Sequence, residues 1–510
     1  MRRKLVRASL FFGALAGLML LGQEPVLAAQ PAATPDRLEP GKQGETMPGE
    51  AGALPVPYSK GVNVVGHDAI GGRTGNLTMA WSGTCAYVAD GLTVKPDGGL
   101  LQMPRGPQSG IAVIDVSNPA APRTVRYLTD KGALNATETI HVAGRPGHPI
   151  LAASTYGGVE GMSAPKEGWM SLYDVSTCTR PRLLADVQWP EPVHTLRVSP
   201  SGRFVYGPIL NPFIGAGGIA VMDISNPARP RYLGKFGVTR ADGTSYEFSP
   251  HELIFSPDEQ RIYVGVVASQ GGDLNHHFRN AKPGVPSAES VGPDAGGIYI
   301  LDNSDFFAGK ADPKFRLIGT AQHAGWHSPA LASFGGKPAL VNAGELGACP
   351  GAWPRITDIS DEANPVQIGE FRLAMNRAEN CPPRTAMEAA SGGLVGRPGI
   401  ASTHFQDVDS AADTRLGLFS FMWAGLRIAD LRDPRSPVEV AYFKPGDTCM
   451  SHVHYNRARG QIWLACNASG FWVIGLKPAV RAARSRGAEY RMTLTGRKQG
   501  RARPLWKHAK

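Results

Sequence analysis

The sequence predicts an all-β, seven-bladed β-propeller of four-stranded antiparallel blades, and three observations carry that expectation. A strand–turn–strand unit recurs along most of the chain, a short hairpin precedes several copies, and the two ends of the repeat array are incomplete in complementary ways. A length of 510 residues taken alone suggests several domains, but internal repeats override that prior.

The recurring unit reads GIAVIDVSNPAAPRTVRYL from Gly110, WMSLYDVSTCTRPRLLADV from Trp169 and GIAVMDISNPARPRYLGKF from Gly218. It continues as GIYILDNSDFFAGKADPKFRLIG from Gly297, PRITDISDEANPVQIGEF from Pro354 and GLRIADLRDPRSPVEVAYF from Gly425. Each copy is an alternating strand, an Asp-centred turn usually closed by proline, and a second alternating strand. The Asp carboxylate can accept the turn's own backbone N–H groups, and proline pre-sets φ while leaving the ladder. The turn aspartates Asp115, Asp174, Asp223, Asp302, Asp358 and Asp430 stand 49 to 79 residues apart, longer than a minimal blade, so several connections carry insertions.

Hairpins with short polar turns lie upstream: HTLRVSPSGRFVYG from His194, HELIFSPDEQRIYVG from His251 and HVHYNRARGQIWLA from His452. Two hairpins make a four-stranded sheet, which is a propeller blade. The seventh copy, GFWVIGLKP from Gly470, stops after one strand, while KGVNVVGH at 60–67 has no partner of its own. Pairing the two closes the ring and removes its edges. An open solenoid would instead need polar caps at both ends, and none is visible.

The GIAVIDVSNPAAP and GLRIADLRDPRSP segments resemble the LVIVD-repeat family of exported bacterial β-propellers, over about residues 60–478. The resemblance implies the fold and leaves the activity open, because a propeller hosts many functions. More distantly, DISNPARPRYLGKF is similar to a strand pair of the selenium-binding protein/methanethiol oxidase family, which is propeller-like and metal-dependent.

Residues 1–29 read as a secretory signal: four basic residues, an apolar stretch from Leu10 to Leu21, and small residues at Ala28 and Ala29. Arg2 and Arg3 also suit a twin-arginine signal. Residues 30–57 are rich in Pro, Gly, Ala and Glu and read as a disordered leader, 58–478 as the propeller, and 479–510 as a basic, disordered tail. A periplasmic or secreted location follows. Of the net charge of +10, +3 lies in residues 1–29 and +9 in 479–510, so the body between them carries −2. A nearly neutral exported body argues against nucleic acid as a partner, and the tail suits weak contact with an anionic surface. In an oxidising compartment the six cysteines are expected as disulfides. Cys449–Cys466 is favoured because the two stand symmetrically about the turn near Arg457. Cys349–Cys381 comes next, and Cys85–Cys178 follows by elimination.

Aligning the first hairpins on their turns puts His194, His251, His327, His404 and His452 in register at the start of the innermost strand. His141 falls about two residues away, hence on the same face by alternation, and blade one has Asn76 there with His67 shortly upstream. The long insertions around 91–109, 268–296 and 372–402 belong to the same face, where long loops build or cover sites. The expectation is a transition-metal site of copper, iron or zinc held by some of these five imidazoles. His141, His454 and His67 are secondary ligands, with His452 and His454 forming an H-x-H pair. The other reading is that each histidine bonds a neighbouring blade's backbone. Glu138, Glu191, Glu252 and Glu345 near the mouth each read first as surface residues; the functional reading is that they orient imidazoles or act as a base, with Glu252 and Glu191 the catalytic candidates. His276 and His277 suit a solvated loop, His148 and His508 look incidental, and Trp326, Trp353, Phe421, Trp423 and Trp472 suit packing between blades or the lining of a pocket.

No phosphate-binding loop, G-x-S-x-G elbow or HExxH occurs, which disfavours nucleotide-dependent and serine-hydrolase chemistry. The expected function is a metal-dependent oxidoreductase acting on a small organic substrate. The alternative is a non-catalytic scaffold that presents the channel mouth to an organic ligand or a protein partner.

Overall fold

The computed structural model describes residues 58–94, 100–102, 107–134, 136–157, 168–211, 216–269, 295–322, 327–345, 353–374, 402–422 and 424–485. The signal, the leader, the stretch after 485, His276, His277, His508, Cys349, Cys381, Trp326 and Trp423 lie outside them.

Seven antiparallel sheets form the propeller. Blade one comprises Asn76–Ser82, Cys85–Asp90, Ile111–Asp115 and Arg123–Leu128, and blade two Ile140–Arg145, His148–Ser154, Gly168–Asp174 and Arg182–Trp189. Blade three runs from Arg197–Val198 to Arg231–Phe236, blade four from Phe248–Phe255 to Phe315–Gln322, blade five from Pro329–Phe334 to Val366–Glu370, and blade six from Thr403–Val408 to Val438–Lys444. The first strands of successive blades touch one another around the axis. A two-stranded ribbon, Leu92–Val94 with Leu100–Gln102, rises from the 91–109 insertion.

Blade seven has only His454–Asn456, Gln461–Cys466 and Gly470–Leu476 of its own, and Val62–Asp68 supplies the outer strand, antiparallel to Gly470–Leu476. This is the expected closure. Tyr58–Lys60 pairs in turn with Val438–Lys444, so the N-terminal segment stitches blade seven to blade six. Gly66 is required here: a Cβ at this position would stand 2.1 Å from the Pro119 carbonyl oxygen, in the blade-one turn.

The repeat's turn chemistry recurs copy by copy. Asp115, Asp174, Asp223, Asp302, Asp358 and Asp430 each accept the backbone N–H two residues on, at 2.8 to 3.0 Å. Beside each turn the ladder between the third and fourth strands slips by a bulge, as at Val113/Ile114 and Val221/Met222, and blade seven repeats it at Val64/Gly66.

The core is not one mass. Among the described residues seven apolar clusters lie one between each pair of neighbouring blades; Tyr87, Val113, Leu151 and Tyr173 fill the interface of blades one and two, and Ala86, Ile114, Trp463 and Phe471 that of blades one and seven. Phe421 belongs to the cluster of blades five and six, while Trp353 is buried and donates to Glu370. Cys85–Cys178 ties blade one to blade two across 93 residues, and Cys449–Cys466 brackets the first hairpin of blade seven. The stretch expected to begin a disordered tail at 479 is instead the helix Pro478–Ser485, because Val480 is buried in the cluster of blades six and seven.

Deleting residues 58–68 is expected to abolish the single cooperative thermal transition, since it uncovers the edge of Gly470–Leu476. Cys85→Ser with Cys178→Ser is expected to cost about 2–5 kcal/mol in denaturant unfolding, because it lengthens the free chain between two blades.

Candidate metal centre at the channel mouth

The inner strands begin irregularly, and the irregularity aims the side chains. In blade four Pro250 pairs with Val266 and Leu253 with Val264, so His251 and Glu252 together oppose one residue. Both side chains therefore reach the channel, although they are sequence neighbours. In blade six Thr403 pairs with Phe421 and Phe405 with Ser420, which leaves His404 as the extra residue. His194 and His327 precede their strands, held by N–H donation to the Pro208 carbonyl at 2.7 Å and the Ala343 carbonyl at 3.2 Å.

Four imidazoles from four consecutive blades converge. His194 Nε2 lies 3.0 Å from His251 Nε2, and the ring centroids of His251 and His327 are 3.9 Å apart and those of His327 and His404 4.5 Å. Two carboxylates join them. Glu138 places Oε1 3.5 Å from His404 Nε2 and Oε2 3.8 Å from His194 Nε2. Glu345 places Oε2 3.4 Å from His251 Nε2 and 3.5 Å from His327 Nε2, and Oε1 3.4 Å from His404 Nε2. His404 Nδ1 donates to the Met450 carbonyl, which turns Nε2 into the pocket. The Tyr156 ring lies 5.0 Å from His194.

Burial opposes a charge on His404, but the facing Glu138 and Glu345 outweigh it and hold the imidazole's pKa up to about 10. Burial alone would raise both carboxylates; the imidazoles, His404 foremost for Glu138 and His327 for Glu345, more than offset it and hold both below the usual carboxylate range. His327 is driven well below its ordinary value by burial and by His251. Tyr156 is pushed well above its own by burial and by the two carboxylates.

His452 does not join this group. Its Nε2 donates to Glu252 Oε1 at 3.2 Å, its Nδ1 lies 2.7 Å from Thr78 Oγ1, and Arg197 pairs with the same Glu252 oxygen. The Phe405 ring stacks on His452 at 3.7 Å and meets His404 edge-on at 4.4 Å, dividing the two networks. Burial raises the Glu252 carboxyl, but Arg197 and His452 together hold it down at about 2. His141 belongs to this second network as well: its Nδ1 accepts from the Val198 N–H at 3.1 Å, and burial and Arg197 push it well below its ordinary value. This is a bond to a neighbouring blade's backbone, as the structural reading expects of such a histidine.

The H-x-H pair does not share one focus. His454 opens its strand while His452 precedes it, so alternation does not carry from one to the other, and His454 stacks on Trp81 at 4.2 Å. His67 stacks on Trp472 at 3.9 Å and donates to the Ser469 carbonyl. Glu191 is half-buried beside Tyr232, away from the imidazoles, and His148 is exposed. Asn76 accepts from the buried Arg73 at 2.8 Å. Arg197, Tyr156, Thr78 and Phe405 were not legible as site residues. One signal was available: ETIHV at 138–142 aligns with HTLRV at 194–198, which sets Glu138 at the place of His194 and His141 at that of Arg197.

Arg197→Met is expected to destabilise the protein by about 3–5 kcal/mol in denaturant unfolding, because it leaves the buried Glu252 charge uncompensated; adding Glu252→Gln should recover most of the loss.

No curated protein matches the sequence. Among solved structures, the chain is similar to the periplasmic gluconolactonase PpgL of Pseudomonas aeruginosa, at 11% identity and a TM-score of 0.44 over 71% of this chain and 86% of that one. It is similar to hydrazine synthase of Kuenenia stuttgartiensis, at 11% and 0.45 over 79% and 95%, and to the Cps50 (Swd1) β-propeller domain of Myceliophteria thermophila, at 11% and 0.45 over 79% and 97%. The LVIVD repeat is matched at residues 107–129 and 212–237, so the chain is a seven-bladed β-propeller that carries LVIVD repeats.

Proposed function

We propose that this chain is an exported propeller that binds a transition metal ion, copper, iron or zinc, in the four-histidine pocket, and that it acts as a metal-dependent oxidoreductase on a small organic substrate entering at the channel mouth. The supporting observation is the convergence of His194, His251, His327 and His404 with Glu138 and Glu345. Their nitrogen–nitrogen spacing of 3.0 Å and nitrogen–oxygen spacings of 3.4 to 3.8 Å suit donors around an ion. Metal bonds of about 2.0–2.1 Å at right or tetrahedral angles put neighbouring donors about 3.0–3.4 Å apart. The nitrogen–oxygen separations exceed those of good hydrogen bonds.

Two further features fit. The His404 Nδ1 bond to the Met450 carbonyl is the outer hydrogen bond that fixes a ligating imidazole. Glu138, which is buried, and Glu345, which is largely so, carry charge that a protonated His404 balances only in part, whereas a divalent cation balances it in full. A bound redox-active ion supplies electron transfer at an open coordination position. The chain's own residues supply the rest: Phe405 floors the pocket, Glu138 and Glu345 turn their oxygens to the imidazoles, and Tyr156 stands beside His194 with its proton held by burial and by the two carboxylates. The two disulfides and the signal-like start support export.

Metal analysis of protein recovered after native export should find stoichiometric transition metal, and His251→Ala with His404→Ala should lower its affinity by at least tenfold without unfolding the ring. Protein exported under metal-replete conditions yet free of metal would overturn this reading and leave the non-catalytic scaffold. Zinc as the sole native ion would remove the oxidoreductase assignment.

A further inference from the structure

The six donors do not surround a single point. Groups whose ligating atoms all lie within 4.8 Å of one another comprise Glu138, His194 and His251; Glu138, His327 and His404; and His251, His327 and Glu345. Opposite donors of one octahedral ion stand only about 4.2 Å apart, twice a bond of about 2.1 Å, so a one-ion cage would fall into a single group. The first two groups are each two imidazoles and one carboxylate, a set that binds first-row metals with open positions, and they share only Glu138.

Glu138 shows the same division, and Glu345 lies across it. Glu138 turns Oε2 to His194 and Oε1 to His404, which belong to different groups. Glu345 turns Oε2 to His251 and His327 and Oε1 to His404, so it too touches both halves. A carboxylate spanning two ions presents one oxygen to each pair of imidazoles, as Glu138 does.

Resting on the metal reading above, we infer that the channel mouth holds two divalent first-row ions: one on His194 and His251, the other on His327 and His404, with Glu138 and Glu345 bridging them. Two-metal sites place their ions about 3.5–4 Å apart, a separation that one carboxylate spans with its two oxygens. Two divalent ions outweigh two carboxylates in charge. The remaining positive charge selects an anionic oxygen donor, a hydroxide or a substrate carboxylate, as the ligand between them.

Titration of the metal-free full chain with copper(II) tests this. Two equivalents per chain should bind, and the bridged pair should give an electron paramagnetic resonance signal well below the bound copper, through magnetic coupling. Two equivalents with full signal intensity would put the second copper elsewhere and overturn the inference. One equivalent overturns it too and leaves the single-ion reading standing, while none overturns both. Glu138→Gln, which keeps the shape of the side chain and removes its charge, should reduce binding to one equivalent or fewer with an unchanged melting temperature. Two coupled coppers in that variant would deny Glu138 its bridging role. The wild-type titration decides the inference even if the variant fails to fold.

Discussion

The ladder between Val62–Asp68 and Gly470–Leu476 is the constraint on which the rest of the molecule depends. A propeller spreads its apolar core over the seams between blades, and each seam is stable only while both blades hold their places. Without the borrowed strand, blade seven presents an open edge and the seams on either side of it lose their backing. Two of the inner strands are short, Arg197–Val198 in blade three and His454–Asn456 in blade seven, and there the channel wall leans on the neighbouring blades.

Within that ring, charge is sorted into two layers. The four imidazoles with Glu138 and Glu345 form a compact group whose carboxylate charge the chain balances only in part. Below Phe405, Arg197, Glu252 and His452 form another, whose charges are already matched within the chain. This difference bears on what each layer can do. A satisfied buried ion pair is a fixed part of the wall, costly to disturb and poorly suited to exchange ligands. A cluster of imidazoles and carboxylates whose nitrogen–oxygen spacings are 3.4 to 3.8 Å, with no Arg or Lys locked into it, is suited to take a cation. Seven blades offered seven equivalent places, and only four consecutive ones carry a converging histidine.

The fold was nearly all legible in the sequence because its information is local and repeated. The Asp turn states its own geometry six times, and the missing strand was visible as a mismatch between two ends. The site was legible to a lesser depth. Register identified the face for His194, His251, His327 and His404, but depth along the axis is set by where each strand begins and by single-residue bulges, which composition does not record. That is why His452, aligned with the other four, sits beyond Phe405, and why His141 bonds a backbone amide instead. Arg197 and Thr78 were hidden for a different reason: their roles come from partners more than 50 residues away in other blades, as Arg197 with Glu252 and Thr78 with His452.

The bulge at His251 and Glu252 gives the molecule an unusual sensitivity. Two consecutive residues serve two separate layers, one ligating in character and the other an ion-paired support, because the ladder slips at Pro250 and slips back by Leu253, which suspends the alternation of the strand there. Most core positions tolerate a change of size by local shifts, and an exchange of side chains at this point would be felt in proportion to the atoms lost. Removing one residue between Pro250 and Leu253 is a different kind of lesion: Ser249 still faces Ala268 and Leu253 still faces Val264 across three residues on each strand, so a deletion puts the ladder one residue out of step and turns one of the two side chains behind the sheet. Drift in this lineage would therefore be expected to proceed at these positions by substitution and hardly ever by a gap.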